Sequence, residues 1–279
     1  MRIRRLTLDD VPACLELAVK RDWPAEELKW RMILELGTGF GVDSPEGGLA
    51  GTVLITPYGR EAASIGMMVV SPSHGRQGLG RRLMEQALEH IGPIPTLLFA
   101  TDQGRPLYEK LGFVQVGEVV KHLGRLTRQP QELAVPDTRV RAMTGEDLDA
   151  VATLDAGAFG APRRPLLHAL HRVASRALVA ERDGRVVGYG LAWPNLESTT
   201  VGPLIAQEEP IALSLSAGLL RGLEGVVRLD SPPRFTGLSE WAAGLGLERH
   251  VPAPMMMLHG TRAPGRREHL LAIAAQALG

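Results

Sequence analysis

A glycine-containing loop between Val70 and Leu79 carries residue types that suit the binding of a phosphate group. The stretch reads VVSPSHGRQGLGRRLM, and the apolar run that leads into it predicts a strand ending at Val70. Apolar residues at helical spacing predict a helix that begins near Leu79. The first amides of a helix have no intrahelical partner and lie at the positive end of the helix dipole. We therefore interpret this loop as a cradle for a diphosphate.

The loop does not match two common nucleotide-binding motifs. A dinucleotide-binding loop needs a third glycine where Leu83 stands, and a P-loop needs a Gly-Lys-Ser/Thr sequence that is absent. Glycines at this spacing also occur in ordinary tight turns. The interpretation therefore depends on other elements, starting with three arginines that place positive charge at the same end of the helix: Arg76, Arg81 and Arg82.

A second stretch, TLLFATDQGRPLYEKLGFVQVGE, lies about one strand–helix unit downstream of the loop. It predicts a buried strand, a short helix that carries Tyr108, a stop at Gly112 and a further strand from Phe113. The complete order is strand, phosphate loop, helix, strand, tyrosine-bearing helix and strand. That order is much more restrictive than either stretch alone.

The two stretches VVSPSHGRQGLGRRLM and LYEKLGF resemble the acetyl-CoA-binding core of the GNAT N-acetyltransferase superfamily. The resemblance implies that the strand before the loop splays from its neighbour, that its backbone pairs with the pantetheine arm, and that loop amides hold the diphosphate. It also implies that Tyr108 protonates the departing CoA thiolate. The chain departs from the family at Gly75, where Gln or Arg is usual, and Arg76 is the candidate to supply that charge. The implied cofactor-binding residues are Met68, Val69, Val70, Arg76, Gln77, Gly78, Gly80 and Arg81.

The implied function is transfer of an acetyl group from acetyl-CoA to a primary amine of a small molecule, by direct attack in a ternary complex. A backbone N–H near Val69 or Val70 would stabilise the developing oxyanion. Two alternatives stay open: a CoA- or acetyl-CoA-binding sensor without turnover, and an interaction scaffold that binds no cofactor. Spacing singles out no general base among the candidates Glu26, Glu27, Glu35 and Asp102.

Composition narrows the function classes further. The 31 basic residues equal the 31 acidic ones, so the net charge gives no reason to expect binding to nucleic acid or to a membrane surface. No apolar run approaches the roughly 20 residues that span a bilayer. The single cysteine, Cys14, leaves a cytoplasmic location as the expectation. His168 and His171 have ligand-like spacing, but no further ligand joins them, so we expect no metal site.

The chain also repeats itself at an offset of 134 to 137 residues. Ordered self-similarity of this kind indicates two copies of one fold. The equivalent pairs are Thr7 and Thr144, Asp10 and Asp147, Gly51 and Gly188, Gly66 and Gly202, and Gly112 and Gly246. The second copy has IAQEEPIALSLS in place of the loop, and Glu208 and Glu209 would repel a diphosphate. We therefore expect only the first copy to hold acetyl-CoA.

These observations predict an α/β (α+β) protein of two tandem GNAT-like domains, each a mixed, mostly antiparallel sheet flanked by helices. The predicted catalytic domain covers residues 1–128, and the degenerate second domain covers 138–260. The polar, proline-containing stretch LTRQPQELAVPDT is the predicted linker. The apolar period of residues 261–279 predicts a final amphipathic helix that packs on a domain. The sequence leaves the oligomeric state open.

Overall fold

The computed structural model describes all 279 residues and contains two halves with the same order of elements, to which the second half adds two short strands. The first half comprises β1 (Ile3–Leu6), α1 (Val11–Val19), α2 (Glu27–Leu36), β2 (Thr38–Asp43), β3 (Leu49–Tyr58), β4 (Ala62–Val70), α3 (Leu79–Ile91), β5 (Thr96–Phe99), α4 (Arg105–Lys110) and β6 (Val114–Arg125). The second half comprises β7 (Arg139–Ala142), α5 (Leu148–Phe159), α6 (Arg164–Val173), β8 (Arg176–Arg182), β9 (Arg185–Pro194), β10 (Thr199–Ala206), α7 (Glu209–Leu220), β11 (Val226–Ser231), α8 (Thr236–Gly244), β12 (Glu248–Arg249), β13 (Ala253–Leu258) and β14 (Leu270–Ala272). No helix is both long and apolar enough to cross a membrane.

The strands form one sheet in the order β1-β2-β3-β4-β5-β13-β6-β11-β10-β9-β8-β7. All neighbours along it are antiparallel except β4 with β5 and β10 with β11. The predicted α/β fold class, mixed and mostly antiparallel strands flanked by helices in two copies, is confirmed, and the strands of the two copies join in one sheet. The repeat is visible locally as well: Thr7 with Asp10 and Thr144 with Asp147 form matching capping boxes at the two starts.

The halves exchange their last strands. Strand β13 belongs to the second half in sequence, yet it lies between β5 and β6, and Met256 pairs with Leu98 of β5. Strand β6 belongs to the first half, yet its end pairs along β11, with Leu123 opposite Arg228. The predicted linker, residues 126–138, contains neither a helix nor a named strand. The sheet itself is nevertheless continuous across the two halves.

Helices cover both faces of the sheet. Helices α1 and α2 of the first half and α5 and α6 of the second share one core on the inner face. Helices α3 and α4 cover the other face of the first half, and α7 and α8 cover that of the second. Alternate β4 residues therefore face different cores: Met67 and Val69 face the inner core, and Met68 and Val70 face α3 and α4.

The predicted helix over residues 261–279 is wrong. The segment contains a 3-10 turn at Arg267–His269, the short strand β14 and further turns. A surface helix would bury only one apolar stripe. This segment instead runs between the halves and is buried on several sides; its buried side chains include those of Leu270, Ile273 and Leu278. Strand β10 supplies hydrogen bonds to β14 in this extended path.

Candidate functional site

Strands β4 and β5 form a notch that opens toward the loop after β4. They pair only at Ala63 with Thr96 and at Ser64 with Leu97, and they carry no further ladder beyond that point. A register shift against β3 accompanies the divergence, and Met67 has a positive φ of 48°. The Thr52 hydroxyl donates a hydrogen bond of 2.9 Å to the Met67 carbonyl and fixes this irregular backbone. The splayed strand that the family resemblance implied is therefore present.

The loop between β4 and α3 presents six consecutive backbone N–H groups without a protein acceptor. The Gly75 amide donates to Pro72 O, and the Arg82 amide donates to Gly78 O. No protein oxygen accepts from any residue between them, from Arg76 to Arg81. Gly78 has a φ of 76° at the N-cap, which turns the chain into the helix. Such a run of free amides at a helix start is able to bind an anion.

The charged and polar side chains of the loop differ in whether they already have a partner within the protein or are free to bind a ligand. Arg76 is exposed and makes no hydrogen bond within the protein. Arg81 is exposed but already pairs with Glu85 at 2.8 Å, and Gln77 Nε2 donates to the Ser73 carbonyl at 3.3 Å. Arg82 donates a hydrogen bond of 2.8 Å to the Met1 carbonyl, so Arg76 is the one of the three arginines whose guanidinium has no partner within the protein.

Gly80 brings the predicted site elements into contact. A Cβ placed there would lie 3.1 Å from Met68 Cε, 3.6 Å from Val70 Cγ2 and 3.5 Å from Leu107 Cδ2. The first turn of α3 therefore approaches the end of β4 and the start of α4 closely because residue 80 lacks a side chain. The sequence analysis singles out Gly80 but assigns no role in the site to Thr52 or Leu107, because their contacts join distant segments.

Tyr108 lies in α4 with its ring buried and its hydroxyl without a protein hydrogen-bond partner. The ring packs over Gly104, where an added Cβ would lie 2.8 Å from Tyr108 Cε2. It also packs against Phe113. Burial raises the pKa of the Tyr108 hydroxyl to about 12. The group therefore stays protonated near neutral pH and can donate a proton or a hydrogen bond.

The structure does not single out a general base among the four predicted carboxylates. Glu27, Glu35 and Asp102 are exposed. Glu26 forms an ion pair with Lys29, which is 6% exposed. Burial lowers the pKa of Lys29, and Glu26 counteracts that effect. The loop between α1 and α2 reaches the loop after β5 through a hydrogen bond from Arg21 to Gln103.

The equivalent notch of the second half is filled by the chain itself. Strands β10 and β11 pair only from Thr199 to Val201 on β10. Beyond that point β14 inserts, with Leu204 opposite Ala272 and Ile205 opposite Leu270. At the repeat offset of 136, Leu204 and Ile205 correspond to Met68 and Val69. A ligand that pairs with the first notch has no such edge available in the second.

The acidic residues that replace the loop in the second half are engaged in local contacts. Glu208 is the residue before α7 and pairs with Arg182 at 2.7 Å. Glu209 accepts a hydrogen bond of 2.9 Å from the Leu238 amide. The second half therefore combines a filled notch with negative charge at its helix start, which supports the expectation of a single cofactor site.

Comparison with known proteins gives one consistent family. Residues 38–115 and 151–272 match two models of an acetyltransferase (GNAT) domain, which together cover more than half of the chain. The chain is 29% identical over 280 residues to the uncharacterized N-acetyltransferase YitH of Bacillus subtilis, covering 99% of this chain and 97% of that protein.

Solved structures agree with this at the level of the fold. A provisionally assigned acetyltransferase from Pyrococcus horikoshii has a TM-score of 0.81 and 23% identity, covering 100% of this chain and 95% of its own. A tandem GNAT protein from the clavulanic acid biosynthesis pathway has a TM-score of 0.69 and 16% identity, covering 92% of this chain and 98% of its own.

Proposed function

The chain belongs to the GNAT acetyltransferase superfamily as a tandem-domain member, and we propose that its first half acetylates a primary amine of a small molecule with acetyl-CoA. The observation that carries this proposal is the row of six unpaired amides from Arg76 to Arg81 at the open end of the β4–β5 notch. A cytoplasmic location is part of the proposal, since the only cysteine is a buried thiol.

The residues present fit the cofactor that this function needs. The loop amides and Arg76 would hold the diphosphate. The free backbone edge of β4 from Met68 to Val70 would pair with the pantetheine arm, as a strand edge pairs with any extended amide chain. Gly80 lets the first turn of α3 approach the end of β4 closely, and Gly78 takes the positive φ with which the loop enters the helix. Bound acetyl-CoA would supply the activated thioester.

The acetyl group is then transferred in a single displacement. The nitrogen of a neutral amine attacks the thioester carbonyl carbon, the new C–N bond forms, and the C–S bond breaks. A backbone N–H near Val69 or Val70 stabilises the oxyanion. Tyr108 gives its proton to the departing thiolate, and the proton lost by the amine leaves through a base or a water chain.

A binding protein without turnover is the second candidate function. It is favoured by the absence of a singled-out base among the carboxylates near the notch. The two functions differ in whether an amine causes release of CoA. A screen of polyamines, amino acids, aminoglycosides and peptides, with free thiol as the readout, tests this. Amine-dependent thiol release supports the transferase, and its absence across the screen together with tight acetyl-CoA binding supports the sensor.

Reversing the charge of Arg76 is expected to weaken acetyl-CoA binding about tenfold at low salt. Arg76 is exposed and unpaired, so Arg76→Glu should leave the fold intact while placing a negative charge beside the diphosphate. The loss should shrink as ionic strength rises, because exposed charges are screened. Isothermal titration calorimetry at two salt concentrations measures the affinity for acetyl-CoA and its dependence on ionic strength. It should give one site per chain for the wild type.

Arg60→Glu is the matched control for that measurement. Arg60 is exposed in the turn before β4, at the opposite end of the strand from the loop. The Arg60→Glu variant should bind acetyl-CoA with an affinity within about twofold of wild type, since a charge far from the ligand is screened by salt. Equal losses in the two variants, or two equivalent sites per chain, would contradict the assignment of the loop.

A further inference from the structure

Residues 270–279, named here the crossing segment, connect the filled notch of the second half to the open notch of the first. The segment begins as β14 and then passes Gly202, where an added Cβ would lie 2.0 Å from Ile273 O. Four residues later it reaches Gly66, where an added Cβ would lie 2.6 Å from Ala277 Cβ and 2.8 Å from Ala277 Cα. Gly66 and Gly202 are equivalent positions of the repeat. The same segment therefore abuts both notches at matching glycines.

Several contacts fix the crossing segment against the first half. Ser64 Oγ donates to the Ala277 carbonyl at 3.3 Å, and the Tyr58 hydroxyl donates to the Leu278 carbonyl. Leu278 is fully buried. These contacts make the segment a fixed wall rather than a loose end, since the Ala277 and Leu278 carbonyls are paired and the Leu278 side chain is packed.

The crossing segment lies at the closed end of the first notch. Ser64 is the last β4 residue that pairs with β5, so the notch begins beside Gly66. The phosphate-binding loop lies past Val70 at the other end. The four residue steps from Gly66 to Val70 span about 13 Å at the rise of an extended strand. A pantetheine arm that enters by the loop and runs along β4 therefore points its acyl group toward Gly66 and Ala277.

We propose that Ala277, held against Gly66, is the wall that limits the length of the acyl group this protein accepts. This inference rests on the proposed function, because it assumes that an acyl-CoA occupies the notch. The Ala277 methyl and the backbone around it occupy the space into which a chain longer than acetyl would extend. Ala277 is a specificity-determining residue that contacts the acyl end of the site and takes no part in the chemistry.

Titration calorimetry of the full chain with CoA, acetyl-CoA, propionyl-CoA and butyryl-CoA tests the proposal without an acceptor amine. Each added methylene that meets a closed wall is expected to weaken binding by about tenfold. Ala277→Gly removes the methyl that faces Gly66, so the penalty for propionyl-CoA should fall to about threefold, while the affinities for CoA and acetyl-CoA stay within about twofold of wild type.

Two further variants distinguish an effect of the Ala277 methyl from an effect of making the whole crossing segment less rigid. Ala275→Gly removes a methyl from the same segment at a residue that supplies none of the three atoms nearest to a Cβ at Gly66, and it should leave the length profile unchanged. Ser64→Ala removes only the hydrogen bond to Ala277, and it should relax the profile in the same direction as Ala277→Gly but less.

The outcomes are distinguishable. If CoA itself does not bind, the proposed function falls and the inference falls with it. If CoA and acetyl-CoA bind but wild type takes butyryl-CoA equally well, the wall is refuted while the function stands. A length profile that Ala277→Gly leaves unchanged, or that Ala275→Gly shifts equally, also refutes it. Unchanged CoA affinity reports that each variant has kept a folded notch.

Discussion

Replacing Tyr108 by Phe is expected to lower kcat for amine acetylation by about 10²- to 10⁴-fold, the range for loss of one positioned proton donor. The substitution keeps the buried ring over Gly104 and removes only the unpaired hydroxyl. The affinity for acetyl-CoA should change little, because the ring stays in place. Steady-state kinetics with an amine found by the screen, together with calorimetric binding, measure the two quantities separately.

The pH dependence of the wild type provides a second test of Tyr108. Burial raises its pKa to about 12, so the neutral, proton-donating form persists at all pH values well below that number. Loss of activity through Tyr108 deprotonation should therefore begin only as the pH approaches 12. A kcat for Tyr108→Phe within about threefold of wild type would remove the tyrosine from the mechanism.

Replacing Asp155 by Ala is expected to lower the free energy of unfolding by about 3 to 5 kcal/mol. Asp155 and Arg163 are both fully buried and form a bidentate pair, with distances of 2.7 Å and 2.9 Å. The Tyr189 hydroxyl also donates to Asp155. Burial by itself lowers the pKa of Arg163, and the adjacent Asp155 more than offsets this. Without the carboxylate the guanidinium stays charged and unpaired in the core.

The neighbouring pair of Asp149 and Arg164 also joins α5 to the start of α6, and it serves as a control because both of its side chains are exposed. Asp149→Ala should change the free energy of unfolding by less than about 1 kcal/mol. Urea denaturation measures both variants. The combined change of Asp155→Leu and Arg163→Met should recover most of the lost stability, because no charge is then left unpaired. Equal effects of Asp149→Ala and Asp155→Ala would contradict this account.

The buried pair also explains why the crossing segment is held so firmly. Arg163 Nη1 donates to the Gly279 backbone oxygen at 3.0 Å, and its guanidinium lies 3.9 Å from the Phe159 ring centroid. The Tyr58 ring packs edge-on against Phe159. The buried cluster therefore anchors the crossing segment at Gly279, two residues beyond Ala277.

The features that the sequence predicted are those in which neighbouring residues decide the outcome. The glycine-containing loop before the helix that begins at Leu79 and the tyrosine-bearing helix each depend on spacing within one short stretch, and both elements are present. The two-copy organisation was visible because the capping boxes at Thr7 and Thr144 recur at a fixed offset. The predicted site residues now have positions, but their roles in binding and catalysis stay predictions.

Only the tertiary structure decided which distant segments lie together. The apolar run Met255 to Met257 forms a strand, but its partners β5 and β6 belong to the other half. Residues 270–279 have the apolar period of a helix, yet the unpaired edge of β10 and the space between the halves draw them into an extended path. Periodicity reports that a side chain is buried, whereas the partner that buries it depends on edges and cavities formed by residues far away in the chain.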